Sequence, residues 1–146
     1  MSTHELLEKE ATSWARLEAA VANVADGRRD EPGVVPGWSV KDLSWHCGYW
    51  AGYVAEVLER QIAGEPPEPE RDDAYWDARN DDVTQEARVL DWDQIWERSA
   101  TNRASARAAL TALGDAISDD SLEDFTGETF EHYDEHAAEI EAFAAR

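Results

Sequence analysis

Cysteine is nearly absent from this chain, with Cys47 its one example. No internal disulfide can form, and the expected compartment is a reducing one. Lysine is almost as scarce: only Lys9 and Lys41 occur, and arginine carries nearly all the positive charge. Long apolar runs are missing too. The longest uncharged stretch, Leu43 to Ala55, falls short of the roughly 20 residues that span a bilayer. Met1-Ser2-Thr3-His4-Glu5 runs straight into an amphipathic pattern instead of a charged-then-apolar leader, so a cytoplasmic protein is expected. Strand-like alternation and repeats of solenoid length are absent as well.

What the chain has in excess is acid, 33 Asp+Glu against 13 Lys+Arg for a net charge of −20. Such a field repels nucleic-acid phosphates and anionic lipids. Neither is an expected partner, and a small-molecule substrate is. An acid-rich, lysine-poor balance fits a high-salt cytoplasm such as a halophile's, where screening removes the self-repulsion. An acidic protein from a high-GC bacterium would show the same balance. The 146 residues, with seven Trp, four Tyr and three Phe, suffice for one domain, 1–146, with a substantial core.

Four amphipathic segments organise that domain. Ser2 and Glu5 form a capping box for a first helix, where Leu7, Trp14, Leu17, Val21 and Val24 share one face. Asp26-Gly27-Arg28-Arg29 ends it, and Pro32-Gly33 and Pro36-Gly37 mark turns. A second box, Ser39 with Asp42, opens a helix whose stripe is Leu43, His46/Cys47, Trp50, Val54 and Val57/Leu58. That helix gives out at Ala63-Gly64, before the extended acidic run Glu65-Pro66-Pro67-Glu68-Pro69-Glu70. Between Asp72 and Leu90, Tyr75 and Trp76 suggest a packed turn or short helix, with Asn80-Asp81-Asp82 as a breaker or a cap. A third helix is marked from Asp91 by Trp92, Trp96, Ser99, Arg103, Ala106, Leu110 and Leu113, and Gly114 is its natural C-cap. Asp119-Asp120-Ser121 reads as a turn, and the last helix as starting between Leu122 and Glu128. The sum is an all-α, antiparallel four-helix bundle. The connection after the second helix is long enough to be a crossover.

The chemistry gathers in Glu131-His132-Tyr133-Asp134-Glu135-His136. Two histidines four residues apart on a helix lie on one face, roughly 6 Å apart, and can share a metal. His132, His136, Ile140 and Phe143 continue as a buried stripe. His46 lies on the inward stripe of another helix, which completes a candidate three-ligand set. Three protein ligands leave a coordination position open, as catalytic sites do, and imidazole suits Zn, Ni, Fe or Cu. The plain alternative is a histidine pair hydrogen-bonded in the core. Glu128, one turn before His132, and Asp42, one turn before His46, are candidate partners for imidazole N–H groups, and Glu128 is also a candidate ligand. Glu131, Tyr133 and Glu135 adjoin the histidines but point off the stripe by about 100° per residue; Glu128, Glu135 and Tyr133 are the weak catalytic candidates. Cys47 reads as a buried core residue rather than a ligand or nucleophile. His4 reads as a solvated bystander. Trp38, Trp45, Tyr49, Trp50, Tyr53, Tyr75 and Trp76 exceed what one bundle layer needs, and Trp50, Tyr53 and Trp76 are the candidates to line a substrate pocket.

Pro36-Gly37-Trp38-Ser39-Val40-Lys41-Asp42-Leu43 followed by His46 resembles the helix-two signature of the DinB/YfiT-like superfamily of metal-binding four-helix bundles. Thr129-Phe130-Glu131-His132-Tyr133-Asp134-Glu135-His136 with Ile140 resembles one branch of it, the ClbS/DfsB family, which includes proteins that protect producers of genotoxic natural products. The order of helices and the long connection extend the resemblance over essentially the whole chain. It implies that His46, His132 and His136 form the superfamily's metal site. It also implies kinship with metal-dependent transferases that use low-molecular-weight thiols, and with ClbS-like hydrolases of a reactive cyclopropane. Thiol-dependent maleylpyruvate isomerases share the helix-two pattern, but an acidic residue commonly stands where His132 stands here. They also carry a second, C-terminal domain that this sequence is expected to lack, so isomerase activity is not the expectation. The expectation is an enzyme using a divalent metal (Zn, Ni or Fe) to activate water or a small thiol against an electrophile. Two alternatives stand beside it: a ClbS-like protection protein that binds or hydrolyses a reactive metabolite without metal, and a non-catalytic bundle that dimerises. Because the superfamily often dimerises, a homodimer is also an expectation.

Overall fold

A computed structural model describes residues 1–146 as six α-helices and two short 3-10 turns. Helix α1 spans Thr3–Ala22, α2 Val40–Ile62, α3 Asp73–Val89, α4 Trp92–Leu113, α5 Asp119–Glu128 and α6 Phe130–Ala144. The expected all-α bundle is present, with α1, α2, α4 and α6 as its four members and α3 packed along α2. No helix is long and apolar enough to cross a membrane.

Polar side chains start these helices. Ser39 and Asp42 exchange both bonds of a capping box at α2, and Asp91 and Gln94 do the same at α4. At α1 only half of the expected box forms: Ser2 accepts from the Glu5 N–H, while the exposed Glu5 carboxylate stays in water. Gly114, at φ 50°, closes α4 as its pattern requires.

Helix α3 is where expectation and structure part. Asp72 caps it, and it runs through Asn80-Asp81-Asp82 without a break. Asn80 is not free to compete for local backbone, because its Oδ1 accepts from Trp50 Nε1 at 3.1 Å. Val83 and Ala87 are buried with Trp45, Leu90 and Ile95. Trp76 meets Trp50 and Tyr53, and Arg88 nears Asp42 at the other end, so α3 runs antiparallel along α2. The chain thus returns to where α2 began, and α4 runs parallel to α2. Trp45 packs near Ile95, and Val54 and Leu58 join Ala106 and Leu110. Likewise α1 and α6 run parallel, Glu10 meeting Tyr133 and Arg16 meeting Glu141. The antiparallel relation holds between the two pairs, and α3 is the crossover.

The chain's end is also divided differently. Asp119-Asp120-Ser121 is not a turn but the first turn of α5, capped by Ser118. The last helix begins at Phe130, after a break at Thr129 (φ −113°, ψ −101°) rather than at Gly127. The Thr129 hydroxyl donates to the Phe125 carbonyl at 2.6 Å and the residue is fully buried, which fixes the corner.

The central core joins Trp14, Leu17 and Val21 of α1 to Leu43 and Ala51 of α2 and Ile140 and Phe143 of α6. Cys47 lies in it, its thiol pushed well up in pKa by burial. In the first turns of α1 the buried leucine is Leu6, with Leu7 at the edge, and Glu10 is buried in the same face. Its carboxylate accepts two bonds from Arg103, at 2.7 Å each, and one from Arg107 at 2.9 Å.

Candidate metal centre

The turn before α2 prepares the site. Pro36 and Gly37 occupy the corner of a turn closed by the Trp38 N–H on the Val35 carbonyl at 3.0 Å. Gly37 takes φ 83°, a value that favours glycine. The turn brings the Trp38 ring to 4.8 Å, centroid to centroid, from His46 on the first turns of α2.

His46 meets both histidines of α6 across the bundle. Its Nε2 lies 2.9 Å from His132 Nε2, and its ring centroid lies 5.1 Å from that of His136. One ring nitrogen from each histidine falls within 4.8 Å of the others. All three residues are buried. The spacing of four on α6 does what the sequence indicated: it stacks His132 and His136 on one face, with centroids 4.6 Å apart.

Burial, with the neighbouring histidines second, lowers the His46 pKa to about 2 and the His132 pKa to about 3. Both rings are therefore neutral at ordinary pH, the form that ligates. Two neutral rings facing at 2.9 Å can share one proton-mediated bond, yet the Nδ1 atoms of both remain buried without a hydrogen-bond partner. That is an expensive arrangement for a core histidine pair. The donor set suits a metal: two nitrogens on one tetrahedral zinc at about 2.0–2.1 Å stand roughly 3.3 Å apart.

Carboxylates stand behind two of the rings. Glu139 Oε2 lies 3.1 Å from His136 Nδ1, leaving Nε2 as that ring's free nitrogen. Glu128 Oε2 lies 3.6 Å from His132 Nδ1, beyond a hydrogen bond but on the expected side. Burial, then Asp124 and Glu135, raise the Glu128 pKa to about 7. Asp42 does not serve His46: its carboxylate is held by the Ser39 N–H in the capping box. Tyr133 and Glu135 also lie outside the site. The Tyr133 hydroxyl points away from the histidines to reach Glu10 of α1, and Glu135 is exposed. His4 is at the surface, pairing with Glu8.

A cavity of about 370 Å³ opens beside the histidines. His46, His132 and Glu128 form one wall, and Trp50, Tyr53 and Trp76 form the aromatic one. The three aromatics suggested by the sequence therefore come together here, on α2 and α3. Asn80 and Asp124 complete the lining, and sequence reasoning missed both, as it missed Glu139. The sequence offers Asn80 only as a helix breaker or cap; its bond to Trp50 is a tertiary contact without a local signal. Glu139 was legible in principle, three residues after His136 on a helix.

The sequence profile described as the mycothiol maleylpyruvate isomerase N-terminal domain matches residues 11–140. The chain belongs to that family. Its profile spans all three histidines and the whole of α2, α3 and α4, and the family is DinB-like, as the two sequence motifs suggested. Nothing in the match singles out the ClbS/DfsB branch. Among solved structures, an uncharacterised protein from Escherichia coli UTI89 superposes with a TM-score of 0.78 at 14% identity, covering 99% of this chain and 93% of that one. At that identity the likeness shows a common fold. No curated protein matches the chain.

Proposed function

We propose that this member of the mycothiol maleylpyruvate isomerase N-terminal domain family is a metal-dependent enzyme. It activates water or a low-molecular-weight thiol against a small electrophile, as a hydrolase or a thiol transferase. One observation carries the reading: three buried imidazoles from two helices have ring nitrogens within 4.8 Å of one another, and two of them, His46 and His132, line an aromatic-walled cavity. His46, His132 and His136 would hold a divalent metal such as Zn, Ni or Fe. When bound, the metal supplies Lewis acidity that lowers the pKa of a water or thiol.

The chain's own residues do the rest. Glu139 holds His136 by its Nδ1, fixing the ring's orientation. Trp50, itself oriented by Asn80, and Trp76 present flat apolar faces to a substrate and keep water from that wall. Glu128, on the cavity wall beside His132, is placed to accept the nucleophile's proton. The family's name points to a thiol as the co-substrate.

The test is elemental mass spectrometry on untagged protein, wild type beside His132→Ala and His136→Ala, followed by turnover assays with and without chelator. Near-stoichiometric metal in the wild type, lost from both variants, is the expected result. A wild type that takes up no metal after reconstitution with Zn, Ni and Fe would end this reading. The aromatic wall also supports a second reading, a protection protein that binds a reactive metabolite without metal. In that case chelated protein retains tight binding, and Trp50→Ala rather than His132→Ala removes it.

A further inference from the structure

A second, smaller cavity of about 220 Å³ shares Trp50, Tyr53 and Trp76 with the first. Its lining differs in sign from the rest of the molecule. Arg60, Arg71 and Arg79 face it against Glu56 and Glu68, a local surplus of positive charge on a chain of net charge −20. Arg60 is already engaged by Glu65 and Glu68, at 3.4 Å each, and by the Pro66 carbonyl. Arg71 and Arg79 are not. Neither has a carboxylate within salt-bridge distance, although Asp and Glu outnumber Lys and Arg 33 to 13. Of the nine other arginines, eight reach a carboxylate, namely Arg16, Arg28, Arg29, Arg60, Arg88, Arg98, Arg103 and Arg107, and Arg146 donates to the Gly33 carbonyl instead.

What holds the pair is an aromatic ring. Arg71 and Arg79 stand 4.9 and 6.0 Å from the Tyr75 ring centroid, and Arg79 donates to the Tyr75 hydroxyl at 3.3 Å. Tyr75 packs edge-on against Trp76, whose ring lies 5.8 Å from Trp50, and Trp50 lies 6.3 Å from His46. An unbroken aromatic path therefore leads from the histidines to two guanidinium groups free of acidic partners. Guanidinium forks match the planar, bidentate geometry of a carboxylate.

We infer that Arg71 and Arg79 form an anion subsite, which receives the carboxylate of an aromatic or similarly flat small molecule whose body lies along Trp50, Tyr53 and Trp76. This deepens the enzyme reading and rests on it for the chemistry, though the subsite itself needs no metal. It names the substrate or co-substrate as an anion. The guanidinium groups of Arg71 and Arg79 repel cationic analogues, and the neighbouring Glu56 and Glu68 disfavour a second negative charge.

The test is a 15N–1H NMR titration of chelator-treated protein with naphthalene-1-acetate and with its neutral counterpart naphthalene-1-acetamide. The acetate is expected to bind about tenfold or more tightly than the amide, to shift the side-chain resonances of Arg71, Arg79 and the Trp76 indole, and to weaken as salt is added. In Arg71→Gln/Arg79→Gln the acetate should fall to the amide's affinity while the amide is unchanged; both residues are exposed, so the fold should survive. Equal affinities for the two probes in the wild type, or an unchanged acetate preference in the double variant, would overturn the inference. His132→Ala separates this from the metal reading. A protein that loses its metal but keeps the acetate preference retains the subsite. A metal-loaded protein without the preference retains the histidine site and loses this one.

Discussion

The Tyr133 hydroxyl donates to the Glu10 carboxylate at 3.2 Å, tying α6 to α1 on a face turned away from the histidine cluster. Tyr133 is the residue after His132, so this bond, with the Trp14 ring 4.9 Å from that of Tyr133, sets the rotation of α6. That rotation aims His132 and His136 at His46. A buried charge thus helps to orient the two histidines, with Arg103 and Arg107 of α4 neutralising it.

Removing the charge from that cluster should be costly. Glu10→Ala leaves the half-buried Arg103 without a counter-ion and is expected to destabilise by about 3–5 kcal/mol. Tyr133→Phe removes one hydrogen bond and should cost about 1 kcal/mol. Urea unfolding of the chelated proteins gives both values; equal losses would show that the tyrosine, not the ion cluster, carries the interaction.

The partner behind His136 should matter for affinity rather than for occupancy. Glu139→Gln is expected to lower metal affinity by about 10- to 100-fold while one metal still binds at saturation. Competition with a chromogenic chelator measures this. Unchanged affinity would mean that the 3.1 Å contact does not orient the ring once metal is bound.

The metal-free protein should lose stability on acidification. His46 and His132 have folded pKa values lowered to about 2 and about 3, against an ordinary value near 6.5. Below about pH 6.5 the unfolded chain takes up protons that the folded chain refuses, so these two groups disfavour folding increasingly down to about pH 3. Glu128 has the opposite sign. Its pKa is raised to about 7, so its protonation favours the folded state, and that contribution is lost as pH rises from about 4.5 to 7. Between about pH 4.5 and 6.5 the terms oppose. The histidine loss, on the order of 1 kcal/mol per pH unit for each ring, should dominate, and Glu128→Gln should steepen it. Urea midpoints across pH 4 to 8 test the sign.

The parallel contact between α2 and α4 should tolerate no side chain at Gly48. A Cβ there would overlap the Ser99 hydroxyl and come within 2.8 Å of Ser99 Cβ. Gly48→Ala gains up to about 1 kcal/mol of helix propensity but should lose about 1–3 kcal/mol to overpacking. The expected net effect is a lower melting temperature, partly restored by Ser99→Gly. A stabilised Gly48→Ala protein would show that the helices separate freely.

The sequence by itself determined the elements whose causes are local. Apolar spacing and capping residues gave α1, α2 and α4, and the four-residue spacing placed His132 and His136 on one face. His46 stood out because it lies on an otherwise apolar stripe. Three features escaped because their causes lie between helices. Helix α3 carries a weak apolar face, and it is held through Asn80 by Trp50, 30 residues away. Glu10 reads as an ordinary surface acid until Arg103 and Arg107 arrive from a helix 93 and 97 residues on. The corner at Thr129 depends on that residue's complete burial, not on Gly127 two residues before it. Only the tertiary structure decided that α3 returns the chain so that α2 and α4 run parallel. That return is what sets Trp76 against Trp50 and gives the histidines an aromatic cavity, because rings on different helices meet only when the packing of whole helix faces brings them together.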